Sequence, residues 1–197
     1  MKEAITFLIE KDPVFKKLQQ QYGTPFIPSR PQGFVTLCKL ILEQQVSIDS
    51  AKACFQKIEN FLGEVSPATV SQCAEADLKS CGVSRQKISY LKILSKAVTE
   101  GLNLESLASK PAEEVRTELL KIKGIGHWTI DVYLMFSLQS PDIIPLGDIA
   151  IVNTIKELFD IRTKEEMEQL SQNWKPYRTM ATFMLWHHYL EKRNRKP

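Results

Sequence analysis

Apolar residues recur at intervals of three and four along nearly the whole chain, and each such stretch reads as a helix with one buried face. Residues 2–10 and 13–22 are short amphipathic segments, parted at Asp12-Pro13 and closed by Gly23. The stretch 24–31 contains three prolines, Pro25, Pro28 and Pro31, and reads as an extended connection. Over 34–45 the positions Phe34, Leu37, Leu40, Ile41 and Leu42 give one apolar face. Over 49–62 the positions Ala51, Cys54, Phe55, Ile58, Phe61 and Leu62 give another. Ser66-Pro67 opens a further helix with proline in its first turn. Helical patterns follow at 75–80, 84–99, 104–107, 112–122, 127–138, 149–159, 164–171 and 174–191. No segment shows the strict alternation of a half-buried strand. The expected fold class is all-α.

Composition narrows the picture only a little. With 197 residues and 43% apolar content, the chain can build one domain or two small ones. A net charge of +3 is compatible with a nucleic-acid partner without requiring one. Cys38, Cys54, Cys73 and Cys81 form no C-x-x-C pair, so neither a zinc site nor an iron–sulfur cluster has a ligand set. No apolar run reaches membrane-spanning length and no signal-like segment stands at the start, so a cytoplasmic protein with reduced thiols is expected.

The most informative stretch is 119–134, where one helical pattern runs into Gly124-Ile125-Gly126 and a second begins at once. Two glycines leave a turn almost without side chains, so backbone N–H groups and a helix N-terminus can approach an anion. An ordinary tight αα turn uses glycine equally well. Here, however, Lys121 and Lys123 precede the turn and Thr129 follows it, an array suited to duplex phosphates. An echo of the turn lies earlier: 78–85 aligns with 120–127, keeping Gly82 but placing Ser84 where the later copy has Gly126. Twenty residues beyond Trp128, after Pro145-Leu146-Gly147, stands Asp148, just before helical periodicity resumes at Ile149. That is an N-cap position, and a helix N-terminus also favours an ionised carboxylate.

The segments 122–129 and 142–148 resemble the helix-hairpin-helix superfamily of DNA glycosylases, and within it the branch of bacterial 3-methyladenine DNA glycosylase II. The likeness runs from about Phe34 to Tyr189. It implies two helical lobes. Residues 34–140 would form a central lobe carrying a DNA wedge and the hairpin, while 1–33 and 141–197 would form a second lobe bringing Asp148 to a cleft. It implies a phosphate-binding hairpin of Lys123, Gly124, Ile125, Gly126 and Thr129, and a wedge at Gln45 with Gln44 nearby. Asp148 would be the catalytic residue, stabilising oxocarbenium-like charge as an N-glycosidic bond breaks. Trp128 and Trp186 would wall a base pocket, stacking on purines made cationic by alkylation.

Trp128 stands where strand-cutting relatives carry a lysine nucleophile, and an indole cannot form a Schiff base. A monofunctional enzyme acting on 3-methyladenine and 7-methylguanine in damaged duplex DNA is therefore expected. It would be a monomer with no cofactor beyond a structural potassium or sodium ion, held by the carbonyls of Ile122 and Ile125. Val132 and Ile149 are aliphatic where some relatives have tyrosine, which points to a less aromatic pocket. Two alternatives stay open: a glycosylase for deaminated or mismatched bases, and a non-enzymatic helix-hairpin-helix binding module. The adjacent His187 and His188 face apart on a helix and suggest no metal site, and the basic run 192–196 can lie along a phosphate backbone or in solvent.

Overall fold

A computed structural model describes residues 1–194 and is helical throughout, with no strand among those residues. The basic run is thus described only as far as Asn194. The chain divides into two compact units. One joins Met1–Ser29 to the chain from Leu134 onward; the other is Arg30–Tyr133.

The first unit holds α1 (Lys2–Lys11), α2 (Pro13–Tyr22), α10 (Ile149–Phe159), α11 (Lys164–Gln172) and α12 (Arg178–Glu191). Asp12 ends α1 and caps α2, its Oδ1 accepting from the Val14 N–H at 2.9 Å, with Pro13 at the first helical position. A capping box between Thr163 and Glu166 opens α11. The core gathers Ile5 and Leu8, Phe15 and Leu18, Ile151 and Ile155, and Met184 and Leu185. Trp174 is fully buried, with the Phe15 ring edge-on at 5.2 Å and Phe159 at 5.5 Å.

The second unit holds α3 (Phe34–Glu43), α4 (Ile48–Leu62), α5 (Pro67–Gln72), α6 (Glu75–Ser80), α7 (Arg85–Thr99) and α8 (Ala112–Leu119). The last helix of this part, α9 (His127–Phe136), begins in this unit and runs across its boundary. The axis is α7, on which α3, α5 and α6 pack; its Ile88, Leu91 and Leu94 recur every three residues and are buried. Ser47, Ser66 and Ser84 cap α4, α5 and α7 through their hydroxyls.

Several boundaries differ from the pattern-based expectation. The α3 helix stops at Glu43, because Gln44 turns to ψ 126° and Gln45 takes φ +58° before Ser47 starts α4. The stretch 104–107 is a 3₁₀ turn, Glu105–Ser109, organised by the Asn103 side chain accepting the Glu105 and Ser106 N–H groups. The hairpin takes 120–122 out of α8, and Gln139 at φ +52° follows α9, which ends at Phe136. Residues 174–177 stand outside the last helix, since Pro176 disfavours helical backbone at Lys175. No helix of the described residues is long and apolar enough to cross a membrane.

Candidate active site and nucleic-acid interface

In the second unit the hairpin forms as a tight turn. The Ile122 N–H donates to the Leu119 carbonyl at 3.1 Å and the Ile125 N–H to the Ile122 carbonyl at 3.0 Å. Ile122 and Ile125 point inward and are buried, whereas Lys121, Lys123 and Gly126 are exposed. Gly124 is indispensable to this geometry for two reasons. Its φ is +99°, and a Cβ there would lie 2.2 Å from Cγ of Tyr90 on α7. The turn thus lies directly against an aromatic ring. Under it, Arg116 of α8 and Asp131 of α9 form a bridge of 2.6 Å, with Asp131 only 5% exposed. Burial pushes the Asp131 carboxyl upward, and Arg116 pulls it back down.

Thr129 is buried rather than displayed, and its hydroxyl accepts from the Gln44 side-chain amide at 3.0 Å. The same amide donates to the Gly124 carbonyl at 2.9 Å. Gln44 is therefore half-buried against the hairpin. Its neighbour Gln45 is exposed in the left-handed region, followed by Val46 and Ile48, which are 46% and 58% exposed. The turn from α3 to α4 thus exposes a polar side chain followed by two aliphatic ones. Trp128 is half-buried on α9.

In the first unit, Pro145–Asp148 closes a turn, with the Asp148 N–H donating to the Pro145 carbonyl at 2.9 Å. Asp148 then caps α10. Its Oδ1 accepts from the Ala150 and Ile151 N–H groups at 2.9 and 3.1 Å and from the Trp186 indole N–H at 3.3 Å. Three donors thus converge on one carboxylate oxygen at a positive helix end. Trp186 packs edge-on to Phe136 at 5.7 Å and lies 6.2 Å from Phe183. These two phenylalanines were not singled out in the sequence. Phe136 closes α9, and only its helical phase relative to Trp128 could have marked it.

The approach to Asp148 is stapled to α12. Arg178 grips the Asp142 carboxylate at 2.7 and 2.8 Å and also its carbonyl at 3.1 Å. Thr179 accepts the Ile143 N–H at 3.0 Å and donates to the Ser140 carbonyl at 2.6 Å. The sequence did contain the signal, in Asp142 at the head of the aspartate motif and Arg178 at the head of the last helix.

His187 and His188 serve separate carboxylates, at 3.4 Å from Glu191 and 3.2 Å from Glu157. Lys192, which also bonds Glu157 at 2.6 Å, and then His188 hold that carboxyl below its usual range. No three potential metal-ligating side chains cluster among the described residues, and the four cysteines are unpaired thiols.

Comparison with known proteins places these features in a family. Residues 38–177 match the model of the HhH-GPD superfamily base excision DNA repair proteins. A Bacillus subtilis protein named putative DNA-3-methyladenine glycosylase YfjP is 31% identical over 180 residues, covering 85% of this chain and 62% of that protein. This chain thus spans less than two thirds of that relative. A Bacillus halodurans DNA-3-methyladenine glycosidase structure superposes with a TM-score of 0.86 at 28% identity, over 97% of this chain and 91% of that one. The Schizosaccharomyces pombe 3-methyladenine DNA glycosylase, solved with abasic DNA, superposes at 0.84 with 28% identity, over 93% of this chain and 95% of that one. The match covers both the hairpin and Asp148, so the chain belongs to the HhH-GPD superfamily of base excision DNA repair proteins.

Proposed function

We propose that the chain is a monofunctional DNA glycosylase of base excision repair, acting as a cytoplasmic monomer on damaged duplex DNA. It hydrolyses the N-glycosidic bond of alkylated purines, 3-methyladenine and 7-methylguanine, after the nucleotide is flipped. The observation that carries the reading is Asp148: a carboxylate oxygen fixed by two backbone N–H groups and by an indole that itself sits among aromatic rings. The relatives' names and the abasic DNA of the fission-yeast structure support the same chemistry.

Residue by residue the roles are these. Gly126 leaves room for a phosphate at the start of α9, Gly124 makes the positive-φ turn against Tyr90 that leads to it, Lys123 supplies charge and Ile125 anchors the turn. Gln45 fills the space that the flipped nucleotide vacates, at a cost of a few kcal/mol for unstacking. Trp186 and Phe136, in contact with each other, offer aromatic surface to a cationic purine, each worth about 0.5–2 kcal/mol in cation–π attraction. An alkylated purine departs as a neutral base when the bond between C1′ and its nitrogen breaks, so it takes its bonding electrons without a general acid. Asp148 stabilises the positive charge left on the sugar. Water then adds at C1′ and its proton passes to Asp148 or to solvent.

Since Trp128 occupies the nucleophile's position, the product is an abasic site in an unbroken strand. A potassium or sodium ion also fits the hairpin, whose Ile122 and Ile125 carbonyls are neutral oxygen donors of the kind that bind such ions. Ile122 already accepts one turn hydrogen bond and would offer its second lone pair. The ion's contribution would be to stiffen the turn.

The test is base release from alkylated duplex DNA, wild type beside Asp148→Asn. Asparagine also caps helices, so the variant keeps its fold. Its rate should fall by on the order of 10²-fold or more, the scale of one well-placed electrostatic group. Strand breaks should appear only after hot alkali. Near-normal release by the variant would remove the mechanism, and breaks before alkali would remove the monofunctional assignment.

A further inference from the structure

Gln44 stands beside the wedge in sequence, yet its side chain belongs to the hairpin. Its amide donates to Gly124, 80 residues away, and to Thr129, 85 residues away. The Gly124–Ile125 peptide is thereby held at both ends. Its carbonyl accepts from Gln44, and its N–H donates to the Ile122 carbonyl. The turn's own bond, from the Ile125 N–H to the Ile122 carbonyl, and the Tyr90 ring against Gly124 set the direction of the hairpin without Gln44, which is tied to its apex from outside. On its backbone side, Gln44 ends α3, donating to the Ile41 carbonyl at 3.4 Å, and Gln45 follows at φ +58°. A second side chain grips the same place from α7: Lys87 Nζ donates to the Leu42 carbonyl at 2.7 Å. The root of the exposed tip Gln45, Val46 and Ile48 is thus tied by the Gln44 side chain to the hairpin and by Lys87 to α7.

We infer that Gln44 is a positioning residue that couples the wedge to the phosphate grip, an inference resting on the DNA-glycosylase reading above. A wedge must enter the duplex at a set distance from the phosphates already held. If that distance is built in before binding, little order has to be created at the moment of insertion. Gln44 sets it, because one amide joins the residue preceding the wedge tip to the apex of the grip.

The experiment compares binding to an undamaged duplex, which uses the grip, with binding to a duplex bearing one tetrahydrofuran abasic analogue, which uses grip and wedge. Gln44→Met keeps the length and removes the donor. Its affinity for the undamaged duplex should stay within about twofold, while affinity for the analogue duplex falls about tenfold, the worth of one or two net hydrogen bonds. Gln45→Ala should show the same split. The double variant should be no weaker than either single one, because both act through one insertion step; independent structural losses would add.

Should Gln44→Met not fold, Thr129→Val removes one acceptor from the other side and should move the same ratio by about threefold. Equal losses on both duplexes, an additive double variant, or an intact preference in Gln44→Met would each overturn the inference while leaving the enzyme reading standing. A wild-type protein with no preference for the analogue duplex would overturn both.

Discussion

The second unit contains the same passage twice, α6–turn–α7 and α8–turn–α9, offset by the 42 residues from Gly82 to Gly124. Gly82 and Gly124 both take positive φ, +91° and +99°. The residues after them, Val83 and Ile125, both turn inward, at 3% exposure each. The passages then part. In the first, Ser84 caps α7, its hydroxyl accepting from the Lys87 N–H. In the second, Gly126 stands in that place and brings no side chain to the start of α9. One backbone shape is completed by its own hydroxyl, while the other has only a hydrogen at that position, the feature on which the proposed phosphate grip rests. Beneath the second turn the protein adds what the first lacks: Arg116 and Asp131, where the earlier register has Ala74 and Ser89.

That buried pair gives the largest expected effect. Arg116→Ala leaves the Asp131 carboxylate buried without its cation, and should cost about 3–5 kcal/mol at neutral pH. The sign with pH follows from the direction of the shift. A carboxyl whose folded pKa is raised is favoured by the fold in its neutral form, so it penalises stability above that pKa and not below the unfolded value of about 3.9. Denaturant melts of wild type and variant should therefore show the deficit shrinking from pH 7 towards pH 4. A deficit under about 1 kcal/mol, flat with pH, would mean that the second passage needs no such brace.

Next in size are the two glycines, which differ in their neighbours rather than in their angles. Gly82→Ala meets nothing within 4 Å, so only the backbone resists, at about 1–2 kcal/mol. Gly124→Ala meets the same resistance and also places its Cβ 2.2 Å from Tyr90, adding about 1–3 kcal/mol of overpacking. Thermal unfolding of both variants measures the difference. Equal losses would show that the Tyr90 ring yields freely and does not shape the hairpin.

These pairs also show what the sequence could and could not disclose. Helix identity was legible because α7 repeats its apolar residues and because Ser66-Pro67 and Asp148 mark helix starts, while the caps Ser47 and Ser84 emerge only in the structure. The start of α12 was misplaced because Trp174 has the apolar character of a helical face, yet it is buried from a turn that Pro176 enforces. The motif disclosed the hairpin and Asp148 as neighbours of glycines in sequence. It did not disclose Gln44 against Gly124, Arg178 against Asp142, or Phe136 against Trp186. Those contacts join residues from 36 to 80 positions apart in directions that periodicity does not encode. Thr129 was expected to face phosphate. Its place three residues beyond Gly126 fits that role, but also turns it into the interior, where Gln44 meets it.

The smallest stability effect separates the two passages most cleanly. Gly126 has no atom within 4 Å of a would-be Cβ, so Gly126→Ser makes the second turn like the first without a clash. A serine cap is a few tenths of a kcal/mol better than glycine, so the variant should melt slightly higher. That gain opposes function, because a phosphate must now displace a hydroxyl whose cap is worth about 1 kcal/mol, and duplex affinity should fall about fivefold. Ser84→Gly is the mirror change and should lower stability by a few tenths of a kcal/mol. With no phosphate assigned to that turn, duplex affinity should stay as it was. Fluorescence anisotropy at one fixed salt concentration, with paired melts, reads both quantities. Unchanged binding in Gly126→Ser would show that α9 does not grip through its first turn, and a loss in Ser84→Gly would show that the earlier turn also touches DNA.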